Sequence, residues 1–253
     1  MKITEYKGRL QLDPPKFCCD RPLCKRDIDP FENRSFFTVF VGQPRSGKTS
    51  HMISSLLSKR VYNKVFDHIY VFMPTNSRKS LKNNPFRSLK GGNLFDELTA
   101  EDLGEVLKRI DRDREEWEED DDEDKSPDPP NNLIILDDMA VFLKNNAVAK
   151  LLTYIILNRR HLRVSIMMTV QYFNSMPLPI RKNISSIILA NKPVNNKELD
   201  SITEELFSMD KRDAVGVLKY CFQKPYDKFH CVLEPLQYYR NLNRLEITGT
   251  DVI

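Results

Sequence analysis

Residues 42–49 limit the possible folds of this chain more than any other segment. They read Gly-Gln-Pro-Arg-Ser-Gly-Lys-Thr, a complete G-x-x-x-x-G-K-[ST] phosphate-binding loop. The apolar run Phe36–Val41 precedes the loop and predicts a strand, and the run Ser50–Leu57 follows it and predicts a helix. In this context successive backbone N–H groups point at a phosphate, and the helix dipole stabilises its charge. A chance match in a glycine-containing turn would not need this context, so the sequence predicts a nucleoside triphosphate site.

The loop also suggests roles for particular side chains. Lys48 would reach the β- and γ-phosphates, and the Thr49 hydroxyl would hold Mg²⁺. ATP and Mg²⁺ are therefore the expected ligands, and Lys48 is also a candidate catalytic residue. The residues expected to contact the nucleotide are Gly42, Gln43, Pro44, Arg45, Ser46, Gly47, Lys48, Thr49 and Ser50.

A second motif, Leu133–Asp138, consists of four apolar residues followed by two aspartates. A buried strand that ends in Asp is how such folds place a metal ligand beside the phosphates. We expect Asp137 to hold Mg²⁺ and Asp138 to polarise the attacking water, although many ATPases have the longer Glu at the second position. The alternative is a strand followed by a solvated turn.

The run Val164–Val170 predicts another buried strand, and Gln171 follows it. Gln171, with help from Thr169, could contact the γ-phosphate or the attacking water and so detect whether the phosphate is present. A glutamine at the end of a strand can also be an ordinary loop residue. The two ATP motifs upstream favour the sensor role.

Three arginines, at positions 159, 160 and 163, lie just before that strand. An arginine supplied across a subunit interface can stabilise the charge of a phosphoryl-transfer transition state. Arg160 is the preferred candidate for this role and Arg159 the next, with Arg181 and Lys182 as alternatives for the same role or for DNA contact. Contact with DNA phosphates or plain surface charge would explain the arginines equally well.

The distribution of apolar runs predicts an α/β fold. Short and nearly continuous apolar runs are typical of strands buried on both faces of a parallel sheet. These runs are Phe36–Val41, His68–Met73, Leu133–Leu136, Val164–Val170 and Ser185–Ala190. Helical patterns separate or follow them, at Ser50–Lys59, Ala100–Ile110, Ala147–Asn158, Asn196–Phe207 and Lys211–Tyr220. The alternation predicts an open, doubly wound and mostly parallel sheet with helices on both faces.

We expect an N-terminal extension at residues 1–34 and one ATPase domain at residues 35–253. Within the domain, residues 191–253 would supply the C-terminal helices, a strand at the far edge of the sheet (Lys228–Leu233) and a tail. Residues 112–132 are acidic and then rich in proline, which predicts a mobile insertion. This insertion could mimic nucleic acid in a basic groove, although a simple solvated insertion is favoured.

The charge distribution bears on partners. Residues 115–124 contain nine carboxylates, and without them the acidic total falls from 36 to 27 against 39 basic residues. A basic body suits a polyanion such as DNA or RNA, although surface lysines and arginines also serve solubility. No apolar run approaches the roughly 20 residues that span a bilayer, and no secretion signal is visible. The five cysteines therefore point to a reducing compartment, with a zinc site as the less favoured use of Cys18, Cys19, Cys24, Cys221 and Cys231 with His230.

The order of these motifs resembles the genome-packaging ATPases of large DNA viruses and virophages, in the FtsK/HerA branch of P-loop ATPases. The resemblance covers about residues 35–235. Besides the phosphate loop, the Asp-Asp strand and the strand that ends in Thr169-Val170-Gln171, it rests on His68–Pro74, Asp96–Thr99, Asn158–His161 and Leu178–Asn183. The acidic insertion is not part of the pattern.

The resemblance implies an additional-strand P-loop NTPase with the sheet order 5-1-4-3-2. It implies a motor that pumps double-stranded DNA, without reading its sequence, into a preformed capsid. It further implies a homo-oligomeric ring of five or six subunits, possible contact with a capsid or portal vertex, no membrane partner, and a location in the host cytoplasm, the viral factory or the virion. In this pattern Asp137 is the magnesium ligand, Asp138 the catalytic carboxylate, Gln171 the sensor and Arg160 the interface arginine.

Other functions remain as alternatives. A helicase or another DNA-translocating ATPase of the same superclass is the strongest alternative. Such motifs indicate ATP hydrolysis more reliably than they indicate the process that hydrolysis drives. A GTPase is disfavoured because Asn191-Lys192-Pro193-Val194 lacks the carboxylate that reads guanine. A kinase would need an acceptor site that the sequence does not show. A non-enzymatic binding module would be expected to lack residues that ATP hydrolysis requires, whereas Lys48, Thr49 and Asp137 are all present.

Overall fold

The computed structural model describes most of the chain. The described residues are 21–81, 85–89, 92–120, 126, 128–193, 195–207 and 209–248. Cys18 and Cys19, Val194 and the acidic residues 121–124 therefore lie outside the described residues.

Nine strands of the described chain form one mixed sheet. They are β1 Phe37–Val41, β2 His68–Phe72, β3 Leu94–Phe95, β4 Asn132–Asp137, β5 Val164–Val170, β6 Ser186–Leu189, β7 Phe229–Leu233, β8 Leu236–Arg240 and β9 Asn243–Leu245. Their order across the sheet is β3-β2-β4-β5-β1-β6-β7-β8-β9. The pairs from β3 to β6 are parallel, and the pairs from β6 to β9 are antiparallel.

The predicted fold class is confirmed, and so is the order of the five strands predicted from the apolar runs. Counted in chain order, those strands lie 5-1-4-3-2 across the sheet, with β5 between the phosphate-loop strand β1 and the Asp-Asp strand β4. The sheet is wider than expected, because β3 extends one side and β8 and β9 extend the other. The prediction that Lys228–Leu233 forms the far edge was therefore wrong, since β8 covers β7.

Helices occupy both faces of the sheet. The α-helices of the described chain are α1 Lys48–Leu57, α2 Thr75–Ser80, α3 Ala100–Glu119, α4 Asn146–Asn158, α5 Leu178–Arg181, α6 Asn196–Leu206 and α7 Lys211–Cys221. Several begin at a side-chain cap that accepts an otherwise unpaired backbone N–H: Thr99 caps α3, Asn145 caps α4 and Asp210 caps α7. Such caps explain why these helices begin close to the residues predicted from the sequence.

Alternate side chains of the buried strands point to two separate hydrophobic cores. One core contains Val39 and Ile166 of the sheet together with residues of α3, α4, α6 and α7. The other contains Phe40 and Met167 together with residues of α1. Burial on both faces explains why the central strands read as continuous apolar runs rather than as alternating patterns.

Part of the predicted N-terminal extension packs against the second core. Leu23 and Ile28 are buried there, beside α1. Cys24 is half-buried, and Cys221 and Cys231 are buried thiols of the described chain that form no disulfide. Within the described residues, no group of three or more His, Cys, Asp or Glu side chains is arranged to hold a metal ion.

The acidic segment differs from its prediction in its first half. Helix α3 continues to Glu119, so residues 112–119 are helical, and the mobility of the insertion stays a prediction. Ion pairs one helical turn apart stabilise this extension, with Arg112 contacting Glu116 and Arg114 contacting Glu118. The helix predicted at Ala100–Ile110 was too short, because the prediction considered the like charges alone and not the arginines that precede them. Among the described helices, none is long and apolar enough to span a membrane.

Candidate nucleotide and metal site

The phosphate loop lies at the carboxyl edge of the parallel strands. It leaves β1 at Gly42, whose N–H donates to Val170 O at 3.0 Å, so the loop starts beside the end of β5. Strand β4 ends at the same edge and delivers Asp137 and Asp138. The two motifs that are 88 residues apart in the chain are thereby brought into contact at one edge of the sheet. This edge is where open α/β sheets bind ligands.

Two glycines allow the backbone path of the loop. Gly47 has a φ of 84°, in the left-handed region where a Cβ is strained, and it leads directly into α1. A Cβ on Gly42 would stand 2.5 Å from Ser46 Oγ and 2.8 Å from Asn191 Oδ1. The glycines of the motif are therefore required by conformation at one position and by close packing at the other.

Asp137 is joined to the loop by hydrogen bonds. Thr49 Oγ1 and Thr169 Oγ1 each donate to Asp137 Oδ1 at 2.8 Å. The Asp137 side chain is almost completely buried, and this burial raises the pKa of its carboxyl, an effect that the two hydroxyl bonds oppose. The buried Asp137 carboxylate and the Thr49 hydroxyl beside it are suitable oxygen ligands for a hard cation such as Mg²⁺.

Asp138 faces the lysine of the loop. Lys48 Nζ lies 3.3 Å from Asp138 Oδ1, and the lysine side chain is 6% exposed. Asp138 has a φ of 54°, a conformation that Asp tolerates better than most residues, and its N–H donates to Thr169 Oγ1 at 2.9 Å. Thr169 therefore contacts both aspartates, a role that the sequence assigned only as assistance to Gln171.

An open cavity of about 390 Å³ lies over these groups. Its lining includes most of the loop's end, Arg45, Gly47, Lys48, Thr49 and Ser50, together with Asp137 and Asp138. The remaining lining residues were not predicted: Ser77, Ser80 and Leu81 at and after α2, and Tyr226 in the turn before β7. No motif in the sequence marks these four positions, because they come from segments with ordinary turn and helix composition.

Asn191 is a second residue whose role the sequence did not show. Its Oδ1 accepts a hydrogen bond from Gln43 N at 2.7 Å, so it holds the first turn of the loop. The sequence identified Asn191 only as part of an incomplete guanine-reading pattern. Its position two residues after the end of β6, at the same edge of the sheet, is the signal that could have found it.

Gln171 follows β5 at the correct edge but is exposed. Among the described residues, those that line the cavity do not include Gln171. The structure thus brings Thr169, rather than Gln171, into contact with the aspartates.

The arginines before β5 lie at the opposite edge of the sheet. Seven residues of β5 separate that loop from the phosphate-loop edge, a distance of about 20 Å at the usual rise per residue. Arg159 and Arg160 line a different cavity, of about 640 Å³, and burial lowers the pKa of Arg159 although Glu32 and Glu234 oppose the change. The structure therefore does not bring these two arginines to the nucleotide site of the same chain.

Two other basic residues from this list have structural contacts. Arg163 is buried and donates to Arg21 O at 2.9 Å and to Asn131 Oδ1 at 2.6 Å. Arg181 contacts Glu205 at 3.0 Å and lies over the ring of Phe173. Both side chains are engaged within the fold. Arg159 is engaged as well, since its Nη1 donates to Ile156 O at 3.0 Å, so such contacts do not decide which arginine acts between subunits.

The sequence model of the family described as Poxvirus A32 protein matches residues 25–224. No curated protein sequence gives a significant match.

Solved structures show a similar fold. The genome packaging NTPase B204 from Sulfolobus turreted icosahedral virus 2, in complex with AMPPCP, has a TM-score of 0.56 and 12% identity over 84% of this chain and 99% of its own. The same NTPase in complex with ATP-gammaS has a TM-score of 0.53 and 13% identity over 83% of this chain and 98% of its own. B204, the DNA-packaging ATPase from Sulfolobus turreted icosahedral virus, has a TM-score of 0.57 and 14% identity over 84% and 98%.

Proposed function

This chain belongs to the poxvirus A32 protein family, and on that premise we propose that it is a viral genome-packaging ATPase of the FtsK/HerA type. The observation that carries the proposal is the contact between the phosphate loop and the Asp-Asp strand, through Thr49, Lys48, Asp137 and Asp138. The solved structures of similar fold are described as packaging NTPases and support the same function. Another DNA-translocating ATPase or helicase is the alternative, and it has less support.

ATP binds over the phosphate loop, with its phosphates facing the N-terminus of α1. Loop N–H groups and the helix dipole stabilise the phosphate charge, and Lys48 reaches the β- and γ-phosphates. Thr49 and Asp137 would hold Mg²⁺, which would neutralise charge on the phosphate oxygens. Their oxygen atoms lie together in the structure, which supports this choice of ligands.

Hydrolysis uses Asp138 as the base. When the phosphates attract Lys48, the Asp138 carboxylate loses its ion-pair partner and can accept a proton from the attacking water. The water oxygen then bonds to the γ-phosphorus, the bond from that phosphorus to the β-γ bridging oxygen breaks, and ADP leaves with the electron pair. The Thr169 hydroxyl accepts a hydrogen bond from the Asp138 backbone N–H and so positions Asp138. Gln171 acts as a sensor only if it moves towards the γ-phosphate.

The arginine that stabilises transition-state charge comes from a neighbouring subunit. Arg160, with Arg159 as the next candidate, lies at the edge of the sheet opposite the nucleotide, so it can act only on the site of another subunit. A homo-oligomeric ring of five or six subunits would place ATP between neighbouring subunits and bring this arginine to it.

Double-stranded DNA passes through this ring without being read for sequence. The excess of basic residues outside the acidic segment supports contact with phosphates, which requires no base recognition. The capsid or its portal vertex receives the DNA, and the motor works in the host cytoplasm, in a viral factory or at the virion.

The test is ATP hydrolysis with and without double-stranded DNA, beside Lys48→Ala as the blank. We expect duplex DNA to stimulate hydrolysis strongly, and we expect Lys48→Ala to remove both basal and stimulated activity. DNA affinity should also fall steeply from low to moderate salt. An ATP hydrolysis rate that does not change with DNA, together with a DNA affinity that does not change with salt, would contradict the packaging function. The ATPase activity itself would still stand.

A further inference from the structure

Tyr226 lines the nucleotide cavity although it belongs to none of the ATPase motifs. It lies in the turn between α7 and β7, and its side chain is 69% exposed. Its Cδ1 atom is 3.5 Å from the point where a Cβ on Gly47 would stand. An aromatic ring is therefore held at the surface, directly beside the phosphate loop.

The turn that carries Tyr226 is organised by Asp227. This carboxylate accepts hydrogen bonds from Asn241 Nδ2 at 2.7 Å, from Lys224 N at 2.8 Å and from Gln223 N at 3.0 Å. It also pairs with Arg240 at 3.0 Å. These contacts hold the pKa of the Asp227 carboxyl well below its usual range, and the hydrogen bond from Asn241 has the largest effect. The turn is therefore rigid for reasons that do not involve the Tyr226 side chain.

Tyr226 has a strained backbone. Its φ is 67°, in the left-handed region that bulky residues rarely adopt. Such strain persists only where the surrounding structure enforces it, and it is found mostly at functional sites. The Asp227 bonds supply this constraint. A glycine would adopt this backbone conformation more easily than a tyrosine. The presence of a tyrosine is therefore better explained by a function of its side chain than by the requirements of the fold.

Lys228 fixes the distance between this turn and the phosphate loop. Its Nζ donates to Ser46 O and to Tyr226 O, both at 3.2 Å. The Lys228 side chain is buried, and this burial lowers the pKa of its ammonium. One buried lysine thus joins the backbone of the loop that binds phosphates to the backbone of the residue that presents the ring.

The strand order shows which end of a nucleotide meets Tyr226. Strand β4, with Asp137 and Asp138, lies on one side of β1, and β6 and β7 lie on the other. A triphosphate with its γ-phosphate at Asp138 therefore directs its sugar and base towards β7. The exposed ring of Tyr226 stands on that side of the loop.

We propose that Tyr226 is the platform on which the nucleobase of the bound nucleotide stacks. The inference rests on the proposed function, because it needs a nucleotide on the phosphate loop. Every base has a π-face, so stacking contributes affinity without reading the hydrogen-bonding groups of the base. Stacking on Tyr226 should therefore contribute about equally to the affinities for GTP and for ATP.

The test compares two ligands that differ by the nucleoside alone: ATP and inorganic triphosphate, each with Mg²⁺. Tyr226→Ala should bind ATP and GTP about tenfold more weakly than the unchanged protein, as expected for the loss of one base–aromatic stack. Its affinity for triphosphate should not change, and Tyr226→Phe should bind ATP like the unchanged protein. Tyr154→Ala is the matched control, since Tyr154 is 51% exposed on α4 and is not among the residues that line the cavity.

The outcomes separate the inference from the proposed function. Equal ATP affinity in Tyr226→Ala and the unchanged protein would overturn the stacking role. Equal losses for ATP and triphosphate would also overturn it, because Tyr226 would then only shape the phosphate loop. If the unchanged protein bound neither ligand, the proposed function itself would fail.

Discussion

Lys48 Nζ lies 3.3 Å from Asp138 Oδ1, so the lysine of the phosphate loop and the proposed catalytic carboxylate form an ion pair. The lysine has little exposure to water, so it has few other partners for its charge. ATP phosphates must therefore compete with Asp138 for Lys48. This competition couples nucleotide binding to the release of the carboxylate that hydrolysis needs.

Asp138→Asn should separate binding from turnover. The amide no longer holds Lys48 by charge, so we expect ATP affinity equal to or higher than that of the unchanged protein. Loss of the base should lower kcat about 10²–10⁴-fold. The measurements are the affinity for a non-hydrolysable ATP analogue and the steady-state rate, with the exposed Asp111→Asn as a matched control. An unaffected kcat would mean that the base is another group.

Asp137→Asn should stabilise the protein in the absence of nucleotide and Mg²⁺. Burial raises the pKa of Asp137, so the folded state holds this proton more tightly than the unfolded chain does. Ionised Asp137 therefore costs stability above the raised pKa, and this cost shrinks as the pH falls below that value. The asparagine keeps an oxygen for Thr49 and Thr169 but carries no charge.

The expected gain is about 1 kcal/mol at pH 8, typical of a stabilising change at a functional site. It should shrink as the pH falls and vanish near the ordinary aspartate value of 3.8. Urea unfolding at several pH values, in buffer with a chelator, measures it. A variant that is less stable than the unchanged protein at pH 8 would show that the ionised carboxylate stabilises the fold.

Asn191→Ala should weaken ATP binding without removing catalysis. The variant leaves Gln43 N without its side-chain partner, so the first turn of the loop loses its support. We expect a loss of about 1 kcal/mol in ATP affinity, or roughly fivefold, and little change in kcat. Calorimetric titration checks this, and Asn183→Ala, whose amide bonds Pro179 O away from the loop, is the control. ATP affinity unchanged from the unaltered protein would show that the loop holds its shape alone.

Arg160→Ala should keep ATP binding and lose turnover, because the arginine acts on the neighbouring site. Mixing this variant with Lys48→Ala subunits should restore part of the activity, since some interfaces then combine an intact loop with an intact arginine. The measurement is the ATPase rate as a function of mixing ratio. Normal turnover in Arg160→Ala alone would remove this residue from the site and turn attention to Arg159.

The local sequence was sufficient to predict the strand, loop and helix around the phosphate-binding motif and the buried strands of the sheet. The motif at residues 42–49, with the runs on either side of it, predicted a strand, a glycine-containing loop and a helix, and the structure has all three in that order. Continuous apolar runs predicted the buried strands, because burial on both faces removes the polar alternation. The same approach failed for α3 beyond Ile110, since like charges were weighed without the arginines one turn before them.

The sequence by itself therefore determined the ATPase motifs and the positions of the five central strands, whereas their order in the sheet came from the resemblance to packaging ATPases. Only the tertiary structure decided which residues complete the site: Asn191 on the first turn of the loop, Thr169 between the two aspartates, and Tyr226 beside Gly47. These contacts join residues far apart in the chain; Lys228 and Ser46 are separated by 182 positions. No local pattern encodes such a contact, because it depends on how β6 and β7 pack beside β1, and that packing is decided by the whole hydrophobic core.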